Sequence, residues 1–105
     1  MIYAYIRVST KQQNIDRQYV EIKEFGVEDK FIYVDKESGK DFDRTNYKKL
    51  IKKLKKDDLL IVKSIDRLGR NYRMILEEWA HITKTIGADI KVLDMPLLDT
   101  RIEGK

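Results

Sequence analysis

Cysteine is absent from this 105-residue chain, and histidine and proline occur only once each. Without cysteine the protein can form no disulfide, no thiolate nucleophile and no cysteine-ligated metal site. The single histidine, His81, excludes a metal site built on several histidines. No apolar run approaches the length of a membrane-spanning helix, and the N-terminus lacks the basic and apolar segments of a signal peptide. We therefore expect a soluble, intracellular protein.

Charged residues are abundant, at 38% of the chain, beside 42% apolar residues. This balance and the short length favour one folded domain with one core. The net charge is +4 and the pI is near 9.2. Much of the positive charge lies in one short stretch, at Lys48, Lys49, Lys52, Lys53, Lys55 and Lys56. A lysine run is typical of a solvated helix face, so by itself it indicates nucleic acid only weakly.

Apolar residues follow strand-like and helix-like periods in alternation, which predicts an α/β domain with a mainly parallel sheet of four to five strands. The predicted strands are residues 2–8, 31–34, 59–62 and 89–93. The predicted helices are residues 12–25, 47–54 and 72–86, and residues 36–43 are predicted to form an exposed loop.

Two polar segments follow predicted strands. The first strand delivers Arg7 and Ser9, which share a face because alternate side chains of a strand point the same way. The third strand is followed by Asp66, Arg67 and Arg70. Because the carboxyl ends of parallel strands meet at one edge of the sheet, we expect the two segments to converge there.

Arginines around a serine suit phosphate chemistry. A guanidinium group offers two donors to phosphate oxygens and stays charged at every relevant pH. Clustered positive charge also stabilises a serine alkoxide, so a serine can be activated without histidine. Taken alone, residues 66–70 are more typical of a charged turn that caps a helix, and only their pairing with Arg7 and Ser9 favours a phosphate site.

Residues 5–10 and 65–71 resemble the two signatures of serine site-specific recombinases of the resolvase/invertase type. The resemblance covers essentially the whole chain. Several motifs in order at consistent spacing are far more specific than any one hexamer. The other matching positions are Gln13, Arg17, Gln18, residues 34–40, Asp43 and Arg44.

The resemblance implies that Ser9 attacks a DNA phosphodiester, forms a 5′-phosphoserine link and frees a 3′-hydroxyl. It assigns the scissile phosphate to Arg7, Arg67 and Arg70, with Asp66 positioning them and Arg70 a candidate proton donor to the leaving oxygen. Positions that it assigns to phosphate binding or support of the site are Gln13, Gln18, Asp35, Arg44, Lys53 and Asp58. It implies no cofactor, no ATP and no metal.

The resemblance also implies the fold and the partners. The fold is the three-layer α/β/α arrangement of a resolvase catalytic domain, and the partner is a DNA recombination site. Family members act as tetramers that cut and exchange strands, and they continue into a dimerisation helix and a DNA-binding domain. Neither is recognisable in the sequence, so we expect residues 1–105 to be the catalytic domain, with its oligomeric state open. A cytoplasmic location and a bacterial or mobile-element origin follow from the same resemblance.

Three other functions use part of this pattern. A DNA-nicking or topoisomerase-like enzyme would use the same residues without strand exchange. A catalytically silent partner of an active recombinase would keep the fold, but loss of Ser9 would then be expected. A phosphoacceptor receiver domain shares the strand–helix alternation, but it needs acidic residues where this chain has Arg7 and Ser9.

Overall fold

A parallel four-stranded sheet forms the centre of the computed structural model, which describes residues 1–9, 15–37, 44–69 and 71–95. The strands are β1 (Ile2–Ser9), β2 (Ile32–Glu37), β3 (Leu59–Val62) and β4 (Asp89–Val92). Their order in the sheet is β2-β1-β3-β4. The helices are α1 (Ile15–Phe25), α2 (Thr45–Lys53) and α3 (Tyr72–Ala80), with short 3-10 helices at Asp29–Phe31 and Ile65–Leu68. This is the α/β fold that the sequence predicts.

The sheet is covered on both faces, because alternate residues of β1 point to opposite sides. Tyr3 and Tyr5 enter one core, whereas Ala4 and Ile6 enter the other. The first core is closed by residues of α2 and of the chain around α3, namely Tyr47, Leu50, Leu68 and Ile82. The second is closed by Ile22 of α1 and by Val27. The predicted three-layer arrangement is therefore confirmed.

β2 is longer than predicted. It begins at Ile32 and continues through Glu37, so the predicted loop 36–43 loses its first two residues to the strand. Backbone pairing explains the difference, since β1 and β2 run in parallel register from Ala4↔Ile32 to Ser9↔Glu37. The backbone pairing with β1 stabilises residues 35–37 as a strand, although their side chains are polar. Residues 38–43 lie outside the described part of the chain.

The third predicted helix, residues 72–86, is continuous, but its hydrogen-bonding pattern changes along its length. α3 ends at Ala80 and continues as a π-helix, His81–Ile86. Gly87 then stops it at a φ of 85°, and its N–H donates to the carbonyl of Ile82. Glycine adopts this left-handed backbone without the steric cost of a side chain. The helix therefore ends where the sequence predicts.

Smaller differences concern element ends. β3 matches its prediction, with all four residues buried, and β1 and β4 each differ by one residue at the carboxyl end. α1 is described from Ile15, so its predicted start at residue 12 lies outside the described residues. Among the described helices none is both long and apolar enough to cross a membrane.

Candidate active site at the carboxyl edge of the sheet

Arg7 links the two predicted site segments. It is 8% exposed near the end of β1, and its Nη2 donates to the backbone carbonyl of Asp66 at 2.7 Å. This contact spans 59 residues of sequence and ties the end of β1 to the 3-10 helix Ile65–Leu68. Because arginine stays charged even when buried, the bond fixes a permanent cation at this edge of the sheet.

Three predicted residues can be placed only in part or not at all. Ser9 is the last residue of β1, and its backbone pairs with Glu37 of β2, but its side chain is outside the described part of the structure. Gln13 and Arg70 also lie outside the described residues. The backbone of Ser9 thus lies at the same sheet edge as Arg7, two residues further along the strand.

The 3-10 helix Ile65–Leu68 carries a second guanidinium, that of Arg67. Its Nη1 lies 3.9 Å from Asp66 Oδ1, and its side chain is 19% exposed. Its Nε is buried and has no hydrogen-bond partner among the described residues. A buried N–H without an acceptor is unfavourable, and an anionic oxygen would satisfy it. Arg67 is therefore suited to bind an anion.

Asp66 contacts both arginines through different groups. Its backbone carbonyl accepts from Arg7, whereas its carboxylate lies beside Arg67 and accepts from the hydroxyl of Ser64. The Asp66 side chain is 64% exposed. The structure thus brings together Arg7, Asp66 and Arg67 as predicted, with Ser64 orienting the carboxylate.

Tight packing holds this segment against α3. Leu68 is fully buried, and a Cβ added to Gly69 would lie 2.7 Å from Met74 Cγ and 2.9 Å from the backbone nitrogen of Ile75. Asn71 caps α3, since its Oδ1 accepts from Met74 N at 2.8 Å. Only glycine fits at position 69, so the backbone that follows Arg67 lies directly on the first turn of α3.

Asp35, in β2, is a buried acceptor rather than an open ligand. Its Oδ2 accepts from the Tyr5 hydroxyl and from Tyr47 N, both at 2.9 Å, and its Oδ1 accepts from Asn46 N at 3.0 Å. The carboxylate therefore caps the N-terminus of α2 from a neighbouring strand. Burial, together with the Asp35 carboxylate, raises the pKa of Tyr5 well above its ordinary value.

Arg44 lies just before α2 and is 7% exposed. Its Cζ is 3.7 Å from the centre of the Tyr47 ring, and its Nη1 is 3.5 Å from Met74 Sδ. The Tyr47 hydroxyl donates to Glu78 at 2.6 Å, which connects α2 to α3. Burial and this carboxylate raise the pKa of Tyr47. Arg44 thus holds a fixed cation between the two helices.

Gln18 is buried on α1, at 6% exposure, and its Oε1 has no hydrogen-bond partner among the described residues. α1 is tied to the sheet by Lys63, just after β3. Lys63 Nζ lies 2.7 Å from Glu21 Oε1 and 3.2 Å from Asp94 Oδ1. The hydrogen bond that Lys63 donates to Glu21, followed by the one that it donates to Asp94, raises the pKa of Lys63.

Lys53 and Asp58 lie at the opposite, amino edge of the sheet. Lys53 ends α2, with its Nζ 5.9 Å from the centre of the Tyr33 ring. Asp58 precedes β3 and is buried, accepting from the N-terminal amine of Met1 at 3.2 Å and from Lys55 N at 2.8 Å. These contacts stabilise the turn before β3. The structure does not bring these two residues together with Arg7, Asp66 and Arg67.

A cavity of about 580 Å³ opens beside the site, between α2 and the chain from α3 into the π-helix. Arg44 and Tyr47 line it, but Arg7, Asp66 and Arg67 do not. The other lining residues are Lys48, Ile51, Lys52, Glu77, Glu78 and His81. Among the described residues no group of three or more histidine, aspartate or glutamate side chains could hold a metal ion.

Comparison with solved structures agrees with this architecture. The crystal structure of the N-terminal catalytic domain of TP901-1 integrase matches 97% of the chain, with a TM-score of 0.73 and 27% sequence identity. The match covers 82% of that chain. The fold is thus that of an integrase or resolvase catalytic domain.

The sequence model of the family described as "Resolvase, N terminal domain" matches residues 2–104. The chain therefore belongs to the resolvase family. It is 43% identical over 70 residues to the transposon Tn3 resolvase of Escherichia coli, which covers 67% of this chain. It is 34% identical over 100 residues to a resolvase of Clostridium perfringens, and 40% identical over 76 residues to the DNA-invertase of Enterobacteria phage P7. These alignments cover 95% and 72% of this chain, respectively.

The chain spans only part of those relatives. The alignments cover 38% of the Tn3 resolvase, 40% of the phage P7 invertase and 52% of the Clostridium resolvase. Family membership thus applies to residues 2–104, which the family match spans.

The sequence did not single out four side chains that organise this edge: Tyr5, Asn46, Ser64 and Asn71. Tyr5 lies on the same face of β1 as Arg7, so strand alternation could have placed its hydroxyl near the site. Ser64 lies two residues before Asp66, the spacing of a local hydroxyl–carboxylate contact. Asn71 precedes a predicted helix and is a favoured capping residue. Asn46 Nδ2 donates to Val34 O at 2.6 Å, and no local pattern predicts that contact.

Proposed function

We propose that residues 1–105 are the catalytic domain of a site-specific DNA recombinase that cleaves and rejoins DNA through Ser9. The observation that carries the proposal is the bond from Arg7 Nη2 to the Asp66 carbonyl. It joins the strand that ends at Ser9 to the segment that carries Arg67. Membership of the resolvase family supports the same assignment.

In the proposed cleavage step, Ser9 Oγ attacks the phosphorus of a DNA phosphodiester. A bond forms between this oxygen and phosphorus, and the bond to the 3′-oxygen breaks. The products are a 5′-phosphoserine link and a free 3′-hydroxyl. The serine gives up one proton and the leaving oxygen takes up one, with Arg70 as the proposed donor.

Arginines stabilise the charge that develops on the phosphate in this step. Arg7 is held by a backbone carbonyl and Arg67 retains a buried Nε without a partner among the described residues, so both cations are in place before DNA arrives. Preorganised positive charge of this kind is usually the largest contribution to such catalysis. The fork of a guanidinium also fits two nonbridging oxygens at once.

Asp35 supports this site indirectly in the proposal. It caps α2 and holds the Tyr5 hydroxyl, so it fixes the helix that begins directly after Arg44. Gln18, buried at the start of α1, supports the site from the other side of β1, and we assign a supporting role to Gln13 as well. Lys53 and Asp58 have contacts at the amino edge, so we assign them to support of the fold.

The covalent link conserves the energy of the phosphodiester bond. Rejoining is then the reverse attack by a 3′-hydroxyl on the phosphoserine, and the balanced reaction needs neither ATP nor a metal ion. Strand exchange in a tetramer, bound at two DNA sites, completes the proposed recombination. The full-length protein would add the interfaces and the DNA-binding domain that this requires.

The names of the relatives support a proposal about the kind of genetic element and the cell in which the protein acts. Their names include a transposon resolvase and a phage invertase. We propose a mobile-element recombinase that acts on DNA in a bacterial cytoplasm.

The test is covalent capture of DNA by the full-length protein. Labelled DNA from the cognate element is incubated with protein in a chelator, denatured, and resolved for protein-linked strands. Wild type is expected to give an adduct and Ser9→Ala none. Ser64→Ala is the matched control, because it removes a serine from the same sheet edge but keeps Ser9; we expect a slower adduct. An adduct that persists in Ser9→Ala would refute the proposal, as would an absolute need for a divalent metal.

A further inference from the structure

The positive charge of the chain is concentrated on α2 and the turn that follows it. Residues 44–56 contain seven of the 22 lysines and arginines and none of the 18 aspartates and glutamates. The rest of the chain therefore has 15 cations against 18 carboxylates and is net negative. A chain with net charge +4 thus presents one strongly positive surface.

The lysines of α2 are exposed and form no ion pair with any residue that the structure describes. Lys48, Lys49 and Lys52 are all exposed, and among the described residues none of them lies within 4.0 Å of a carboxylate. In contrast, Lys23 pairs with Asp29 at 2.8 Å. The charges on α2 are therefore available to an external partner.

Helix stability does not account for this arrangement. Cations in the last turn interact favourably with the helix dipole, which explains Lys52 and Lys53. Lys48 and Lys49 lie in the middle of the helix, where Lys48–Lys52 and Lys49–Lys53 are like-charged pairs four residues apart. Such pairs destabilise a helix. The charge pattern is thus unfavourable for the isolated fold and suits binding of a polyanion.

The positive surface follows Arg44 along α2. Arg44 directly precedes the helix, which runs from there toward the amino edge of the sheet. Its nine residues extend roughly 13 Å, at about 1.5 Å per residue. The lysines from Lys48 to Lys52 span about 6 Å of that length. Phosphates of one DNA strand recur about every 3.4 Å along the duplex axis, so this face matches two or three of them.

We propose that the lysine face of α2, formed by Lys48, Lys49 and Lys52, binds the phosphate backbone of duplex DNA without regard to sequence. This inference builds on the proposed function, because it takes DNA as the partner. It adds a binding surface that is separate from Arg7, Asp66 and Arg67. Lys48 and Lys52 also border the cavity that Glu77 and Glu78 line, whereas Lys49 does not line it.

The test measures binding without cleavage. The chain carrying Ser9→Ala is titrated into a fluorescent duplex of about 20 base pairs of arbitrary sequence, from about 50 to about 200 mM salt. Each phosphate contact contributes about 0.9 to the slope of log affinity against log salt. Changing Lys48, Lys49 and Lys52 to glutamine should reduce that slope by roughly 2 to 3. Since each unit of slope is tenfold between 1 M and 0.1 M salt, affinity near 0.1 M should fall about 100- to 1,000-fold.

The matched control changes Lys23, Lys30 and Lys84, which are exposed on other elements, to glutamine. Both triple variants lower the net charge by the same amount, so the control slope should change by less than about 1. Equal losses in the two variants would overturn the inference, because net charge alone would then explain binding. An unchanged slope in the α2 variant would overturn the inference too. So would an α2 variant that still binds the DNA duplex as wild type does but no longer binds anionic phospholipid vesicles.

Folding is checked by circular dichroism and denaturant unfolding, and removal of like charges should not lower stability. If the triple variant fails to fold, Lys49→Gln alone should lower the slope by about 1. Because Ser9→Ala is present throughout, these results do not depend on the cleavage chemistry. A covalent adduct in wild type together with lysine-independent binding would reject this inference and leave the proposed function standing.

Discussion

Asp35 offers the sharpest test of how the site is held, because one carboxylate joins β1, β2 and the start of α2. Asp35→Ala removes acceptors from Tyr5, Asn46 and Tyr47. Loss of a helix cap costs about 1–2 kcal/mol. A buried Tyr5 hydroxyl without its acceptor adds about 1–3 kcal/mol. We therefore expect the free energy of unfolding to fall by about 2–5 kcal/mol, measured by urea denaturation.

A double-mutant cycle separates these two contributions. Tyr5→Phe removes the hydroxyl, so Asp35→Ala in that background should lose only the cap. The coupling between the two positions should be about 1–3 kcal/mol. Asp35→Asn keeps one oxygen acceptor and should cost less than Asp35→Ala, at about 1–2 kcal/mol. Asp29→Ala is the control, because Asp29 pairs with Lys23 on the exposed surface, where solvent screens the pair, and its loss should destabilise the fold far less than Asp35→Ala.

Two results would refute this reasoning. If Asp35→Ala costs no more than the exposed control, the carboxylate does not cap α2. If Tyr5→Phe and Asp35→Ala are additive, the bond between the Tyr5 hydroxyl and Asp35 contributes nothing to stability.

Three further predictions follow from single contacts. Gly69→Ala should destabilise the fold by roughly 1–3 kcal/mol, because a Cβ would lie 2.7 Å from Met74 Cγ; an unchanged denaturation midpoint would contradict the packing. Arg67→Lys should slow covalent capture about 100-fold or more, since lysine lacks the guanidinium fork, and a near-normal rate would remove Arg67 from the phosphate site. Folding raises the pKa values of Tyr5 and Tyr47. The stabilisation that each protonated tyrosine gives the folded state is therefore complete below about pH 10. Above that pH, the free energy of unfolding falls by about 1.4 kcal/mol per pH unit for each tyrosine. Tyr5→Phe should flatten that alkaline dependence in denaturation curves measured from pH 9 to pH 11, and an unchanged slope would contradict it.

Much of the fold could be predicted because its signals are local. β3 is a continuous apolar run, Leu59–Val62, and it is buried on both faces as such a run indicates. Gly87 marks the end of the third helix. The extension of β2 through Glu37 could not be predicted, because its stability comes from pairing with β1 rather than from its own residues. The π-helix at His81–Ile86 has no distinct apolar period.

Part of the candidate site could likewise be predicted from the sequence, and part of it could not. Convergence of Arg7 with Asp66 and Arg67 follows from parallel topology and from the rule that such strands end at one edge. The same topology also explains Lys53 and Asp58, which lie at the amino edge because α2 runs back across the sheet. Contacts between distant elements, such as Asp35 with the start of α2, depend on the assembled fold and leave no trace in local sequence.

The central claim is that Ser9 forms the covalent link to DNA, and the most direct test identifies the modified residue. Trypsin cuts the captured adduct after Arg7 and Lys11, and the released peptide, residues 8–11, contains two hydroxyl side chains, Ser9 and Thr10. Fragmentation by mass spectrometry distinguishes them. We expect a 5′-phosphoryl group on Ser9, formed in the presence of a chelator. A phosphoryl group on Thr10 or on any other residue, or cut DNA without a protein link, would contradict it.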